Sequence, residues 1–222
     1  MRYDWITFDC YGTLIDWEAG MRETFRTIMQ GRSLSGLPEP LTEKYIQYEM
    51  FVERRDYQPY REVLAGASAL LFQQEFGVTL SSEESGLLAG GLPGWRPFED
   101  APPALKRLKE RYKLAILSNI DDDLLRDSVR SLGVQFDAFV TAQQVRSYKP
   151  INTHWKEALS RFGVPEDRVY HVAASYLHDI LPAKQMGIAC AWINRKSEKV
   201  GGTVKPDLSL NDLTALPEIL GA

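Results

Sequence analysis

Five residues in four short stretches carry groups that can serve as nucleophile, counter-charge or hydrogen-bond partner to a small ligand. Asp9 follows an apolar run and opens Asp9-Cys10-Tyr11-Gly12-Thr13, where Gly12 lets the backbone come close to a ligand. Ser118 and Asn119 close a second run, Lys149 stands in Ser147-Tyr148-Lys149-Pro150, and Asp179 ends Ala174-Ser175-Tyr176-Leu177-His178-Asp179. Each alone has an ordinary explanation. Asp9 reads as a turn or cap residue and Lys149-Pro150 as a surface turn. Ser118-Asn119 reads as a helix cap before Asp121, Asp122 and Asp123, three acids that a helix dipole favours. Asp179 reads as a first-turn acid. Their recurrence in order, each after an apolar run, is harder to dismiss.

The elements that must position these residues are short and alternate in type. Strands are expected at 3–9, 113–118, 138–141, 168–173, 189–194 and 207–210, where β-branched and aromatic residues cluster between turn signals. Helices are expected at 101–111, 122–132, 153–162 and 177–186. This alternation implies an α/β fold, a Rossmann-like parallel sheet flanked by helices. In such a sheet ligands lie beyond the carboxyl ends of the strands, where these residues stand.

Residues 16–95 break the alternation: apolar residues recur at helical spacing, as at Tyr45, Tyr48 and Val52 and again at Val63, Ala67, Leu70 and Leu71. A stretch this long is no loop in a compact domain, so it reads as an inserted α-helical cap domain. Residues 1–15 and 96–222 then form the α/β core, joined to the cap through a Gly- and Pro-rich return link at 90–103.

Bulk properties narrow the classes. The 222 residues are 44% hydrophobic and carry a net charge of −4 with both signs interspersed, so no basic tract is available for nucleic acid. The apolar N-terminal run is broken by Asp4 and Asp9 and is neither a signal peptide nor a membrane span. Two cysteines, Cys10 and Cys190, are too few for a disulfide framework, which points to a reducing, cytoplasmic setting. Cys10 should point away from Asp9 and pack.

The ordered set DCYGT, LSN, YKP and Asp179, with a cap between the first two motifs and the flanking phrase FDCYGTLID, resembles the haloacid dehalogenase superfamily over nearly the whole chain. Within it the chain is similar to the type II L-2-haloacid dehalogenase group. The resemblance implies that Asp9 attacks the substrate to form a covalent intermediate that water then hydrolyses, while Lys149 pairs with Asp9 and offsets developing charge. Thr13 and Ser118 would hold ligand or nucleophile oxygens, Asp179 would hold Lys149 or position the water, and Tyr11, Asn119, Tyr176 and His178 would line the substrate site. Asp9 and Lys149 should then lie within about 6 Å of each other.

Phosphatases of the superfamily mostly carry a second Asp two residues after the nucleophile, because an alkoxide leaving group needs a proton. Tyr11 occupies that position, and a phenol with a pKa of about 10 is a poor acid at neutral pH. Halide leaves without a proton, so the expected reaction is hydrolysis of a small 2-haloalkanoic acid to the 2-hydroxy acid, with no cofactor required. A Mg2+-dependent phosphatase of a small metabolite is the alternative, with Asp9 and Asp179 as metal ligands, and a catalytically weak ligand-binding member is a third reading. The chain departs from the L-2-haloacid pattern at Ala174, Tyr176, His178 and Trp155. Arg54, Arg55 and Arg61 are the candidates for a cap arginine that would take the substrate carboxylate. A small molecule is the expected partner, neither nucleic acid nor membrane is, and the chain is expected to be a monomer or homodimer.

Overall fold

A computed structural model describes residues 2–54, 56–199 and 202–222. Strands β1 (Trp5–Phe8), β2 (Lys113–Ser118), β3 (Ala138–Thr141), β4 (Val169–Ala173), β5 (Ala189–Ile193) and β6 (Leu208–Leu210) form one parallel sheet in the order β3-β2-β1-β4-β5-β6. β1 and β4 are buried along their whole length, and β2 from Leu114 onward. These unbroken apolar runs are what a sheet covered on both faces demands. Phe8 pairs with Ile116 and with Val172, so the segments that follow β1, β2 and β4 emerge side by side at the carboxyl edge.

Four helices lie between β1 and the next part of the core: α1 (Trp17–Gly31), α2 (Leu41–Glu53), α3 (Tyr60–Phe76) and α4 (Ser82–Gly91). In α1 the buried residues Met21, Phe25, Ile28 and Met29 repeat at helical spacing, and Asp16 caps its start by accepting from Ala19 N at 3.1 Å. α4 opens with a capping box formed by Ser81 and Glu84. Phe25 holds the insert together, its ring 5.7 Å from Tyr45 and 5.5 Å from Phe72. α1 passes so close to Trp95 that a Cβ on Gly20 would lie 2.3 Å from the indole, which is why only glycine fits there.

The core continues with α5 (Ala101–Lys109), α6 (Asp122–Ser128), α7 (Ala142–Val145), α8 (Thr153–Phe162), α9 (Leu181–Gln185) and α10 (Leu216–Ile219). No described helix is long and apolar enough to cross a membrane.

Two local expectations need correction, and one contact was unforeseen. The helix expected at 177–186 is a π-helical turn, Tyr176–Ile180, followed by α9. Pro182 has no N–H and cannot continue a regular hydrogen-bond ladder back into that turn. The helix expected at 122–132 tightens after Ser128 into a 3₁₀ turn, Val129–Leu132. Asp121 stands before α6 but does not cap it: its carboxylate crosses to the insert and accepts from Tyr60 N at 2.8 Å and Arg61 N at 3.0 Å, capping α3 from the core.

Candidate active site

The site begins where β1 ends. Asp9 N donates to Val172 O at 3.1 Å, carrying the β1–β4 pairing one residue further. The chain then turns through Gly12 at φ +92°, a conformation side chains resist, and Gly12 N donates to Ile15 O at 2.8 Å. The turn leaves Thr13 beneath Asp9. Its hydroxyl donates to Asp9 Oδ2 at 2.8 Å and accepts from Ala174 N at 2.8 Å, tying the first motif to the end of β4. Arg195, a residue the motifs do not include, braces the same turn: it donates to Thr13 O at 2.8 Å and pairs with Asp100.

Lys149 reaches this point from between α7 and α8. Its ammonium donates to Asp9 Oδ1 at 2.9 Å, Asp179 Oδ1 at 2.6 Å and Leu117 O at 3.0 Å, which uses all three N–H bonds. The separation of Asp9 and Lys149 is therefore well inside the expected limit. Lys149 is 2%, Asp179 1% and Asp9 10% exposed at the side chain, so the cluster is shielded from water.

Two acids share one ammonium, and they titrate apart. Burial raises the Asp9 carboxyl above the usual carboxylate range, with Lys149 opposing and the Asp179 charge adding to the rise. Burial also works against a charged Asp179, but Lys149 and His171 outweigh it and hold Asp179 down to about 2. Lys149 itself is raised: burial disfavours its charge, and its two acids more than compensate.

Asn119 stands here as well, but for a different purpose than expected. Its Oδ1 accepts from Lys149 N at 2.7 Å and its Nδ2 donates to Lys149 O at 3.1 Å, so the amide fixes the lysine's backbone rather than offering itself to substrate. Tyr176 also departs from expectation: its hydroxyl donates to Val204 O at 2.6 Å and its ring stacks edge-on against Trp192, away from the acids. The π turn swings it there. Ser118 is buried at the end of β2. Tyr11 donates to Ser128 Oγ at 2.9 Å, and burial pushes its phenol well above its ordinary pKa. His178 is half-buried with Nδ1 3.0 Å from Ser175 Oγ, and burial lowers its pKa, so its imidazole is neutral at pH 7.

Two buried histidines escaped the motif reading. His171, inside β4, bridges Thr7 Oγ1 at 2.8 Å and Asp179 Oδ1 at 3.1 Å. His154, on α8, lies 3.2 Å from Ser118 O, and burial drives its pKa down to about 3. The signal for His171 was a polar residue inside an otherwise apolar strand. Trp155 packs edge-on against His171. Cys10 is buried and its thiol is raised well above the ordinary value by burial, in keeping with a packing residue.

Of the cap arginines, Arg61 is held by Asp121 at 3.3 Å and Asp123 at 2.6 Å and so joins cap to core instead of facing the acids. Arg54 is exposed at the end of α2, and Arg55 lies outside the described residues.

The acids at hand for a divalent cation are Asp9 and Asp179, and one oxygen of each is already on Lys149. Among the described residues no group of three or more His, Cys, Asp or Glu is placed to hold a metal ion. Mg2+ is commonly held by one or two carboxylates, with waters completing its octahedral shell, so Asp9 and Asp179 would suffice as its protein acids, and Asp179 Oδ2 is buried without a hydrogen-bond partner.

A sheet with this strand order, a helical insert after the first strand, and an Asp–Lys–Asp cluster at the strand ends define a class, and comparison with known proteins agrees. Residues 3–187 match the haloacid dehalogenase-like hydrolases, and the chain belongs to that family. It is 32% identical over 131 residues to haloacid dehalogenase-like hydrolase domain-containing protein 3 of Danio rerio, a match that covers 57% of this chain and about half, 54%, of that protein. It is 26% identical over 197 residues to an (S)-2-haloacid dehalogenase of Pseudomonas putida, covering 86% of this chain and 85% of the relative. A crystal structure of an L-2-haloacid dehalogenase superposes with a TM-score of 0.83 at 26% identity, covering 99% of this chain and all of the other.

Proposed function

We propose that this hydrolase removes halide from a small 2-haloalkanoic acid by covalent catalysis, giving the 2-hydroxy acid. An Asp9 oxygen attacks the carbon that bears the halogen, the carbon–halogen bond breaks, and halide leaves with the electron pair. Water then adds to the carboxyl carbon of the Asp9 ester. The acyl bond breaks, the 2-hydroxy acid departs, and Asp9 regains its carboxylate while a proton passes to solvent. Lys149 opposes the protonation that burial favours at Asp9, and Thr13 fixes its plane. Asp179, with its free Oδ2, is the group able to hold the incoming water.

One observation carries the choice of leaving group. At the position two residues beyond the nucleophile, Tyr11 turns its hydroxyl to Ser128 and is a weaker acid than a free phenol. A leaving group that needs no proton suits such a site. The test is halide release from 2-chloropropionate by the purified protein, with Mg2+ and with chelator; release insensitive to chelator is expected.

A second reading, a Mg2+-dependent phosphatase of a small metabolite, draws on the unpartnered Asp179 Oδ2, which a divalent cation could take up together with Asp9. Phosphate release from a generic ester that requires Mg2+, without halide release, would establish it in place of the first.

A further inference from the structure

The cap side of the crevice carries polar groups that the reaction does not use. Tyr45, Glu49 and Glu53 follow one another at four-residue intervals on α2 and so share one face of the helix. That face meets the core beside the catalytic lysine. The Tyr60 hydroxyl donates to Glu49 Oε1 at 2.6 Å, and the Tyr60 ring packs 6.1 Å from Tyr148, the residue before Lys149. Glu53 is near enough to the Lys149 ammonium for its charged form to be favoured by it. Both glutamates are half-buried.

Tyr45 supplies an independent sign. It is 1% exposed, and its hydroxyl has no hydrogen-bond partner. The groups that act on this hydroxyl electrostatically are Glu49 and Glu53. A buried phenol without a partner, one helical turn from Glu49 on the same face, leaves a hydrogen-bonding position that a ligand atom can fill.

Of the cations near this face four are engaged elsewhere, and Arg54, next to Glu53, is exposed at the end of α2. Arg61 is on Asp121 and Asp123, Lys44 on Glu75, and Lys149 on Asp9 and Asp179, while Arg146 lies over the Tyr57 ring at 4.7 Å. Burial accordingly raises Glu49 to about 7, and burial together with the Glu49 charge raises Glu53 to about 9.

We propose that Tyr45, Glu49 and Glu53 form a subsite for a protonated amine at the remote end of the substrate. The proposal rests on the hydrolase reading and names the part of the substrate that does not react. An ammonium brings up to three N–H donors to two carboxylates and a phenol oxygen, and it relieves the repulsion between the acids. A carboxylate placed there would add a third like charge. A bare haloalkanoate gives this face nothing to bind, whereas a haloacid with an amine on its far end fills it.

The test is calorimetric titration of the full chain with n-butylammonium chloride and with sodium butyrate. Butylammonium is expected to bind at least about tenfold tighter than butyrate, and the paired substitutions Glu49→Gln and Glu53→Gln should weaken it about tenfold or more. Tyr45→Phe removes one oxygen without altering charge or volume much, and should cost about threefold or more in affinity at unchanged melting temperature. It decides the matter if the double variant does not fold. Butylammonium affinity unmoved by Tyr45→Phe, or butyrate affinity lowered by it as much as the amine's, overturns the subsite. Asp9→Asn should retain the amine affinity, which separates the two proposals. Amine binding without halide release removes the reaction and leaves the subsite; halide release without amine binding does the reverse.

Discussion

Acids line both sides of one crevice, and the two sides treat them in opposite ways. In the core, Asp9 and Asp179 share an ammonium at 2.9 and 2.6 Å, with Thr13 and His171 filling further positions on the same carboxylates. In the cap, Glu49 has the Tyr60 hydroxyl, and neither it nor Glu53 has an ion pair among the described residues. The core has settled its charges before any ligand arrives, as a preorganised reacting centre must. The cap has left its charges to protons, as a face that waits for a ligand does. The contrast fits the two proposals, chemistry at the strand ends and discrimination in the helical insert.

The largest effect should follow from removing the nucleophile. Asp9→Asn is expected to lower turnover by about four orders of magnitude or more, measured as halide release after mass spectrometry has excluded deamidation, with the circular-dichroism melt preserved. Full activity in that protein would sink the assignment. Removing the shared cation tests the core side directly. Lys149→Met leaves two buried carboxylates with no counter-charge and should cost about 3–5 kcal/mol in urea unfolding. A loss below about 1 kcal/mol would mean that the core acids are no better settled than those of the cap.

The unequal legibility of these two sides has a physical cause. β2, β3 and α8 occupy the residues expected of them because a buried parallel strand and an amphipathic helix write their periods into the chain. Asp9, Thr13, Lys149 and Asp179 meet as expected because a parallel sheet delivers successive strand ends to one edge. The hydrogen bonds of Tyr176 and Asn119 were not legible because closeness in sequence to Asp179 and Ser118 does not tell where a side chain turns. A π turn sends the first to Val204, and the second closes on the Lys149 backbone. Asp121 read as one of three acids at a helix start, since nothing in the sequence announces a capping bond between residues 61 positions apart. The Tyr45–Glu49–Glu53 stripe escaped for the opposite reason: a glutamate at helical spacing reads as solvated surface until the neighbouring layer is in place.

That crossing bond makes the third test. Asp121 is 2% exposed and caps α3 from the core, so Asp121→Ala should destabilise the chain by about 1–2 kcal/mol. The same substitution leaves Arg61 on Asp123 at 2.6 Å, so the preference for butylammonium over butyrate should persist. A lost preference would tie Asp121 itself to the cap's discrimination.

The smallest effect separates the two sides by pH. Asp179, held down to about 2 from the ordinary 3.8, contributes stability that is present above the ordinary value and lost as pH falls through about 2. Glu53, raised to about 9 from 4.5, contributes with the opposite sign. The native chain keeps a proton that the unfolded chain releases, so this contribution is complete below the ordinary value and disappears as pH rises through about 9. Thermal melts of the wild type should therefore fall by a few degrees between about pH 5 and about pH 9. Glu53→Gln carries a neutral amide at every pH and should flatten that decline, and the double variant with Glu49→Gln should flatten it further. The acid limb belongs to the core and should be unmoved by either. A wild-type decline no steeper than that of the double variant would mean that the cap acids already have a cation inside the protein, and the difference between the two walls of the crevice would be gone.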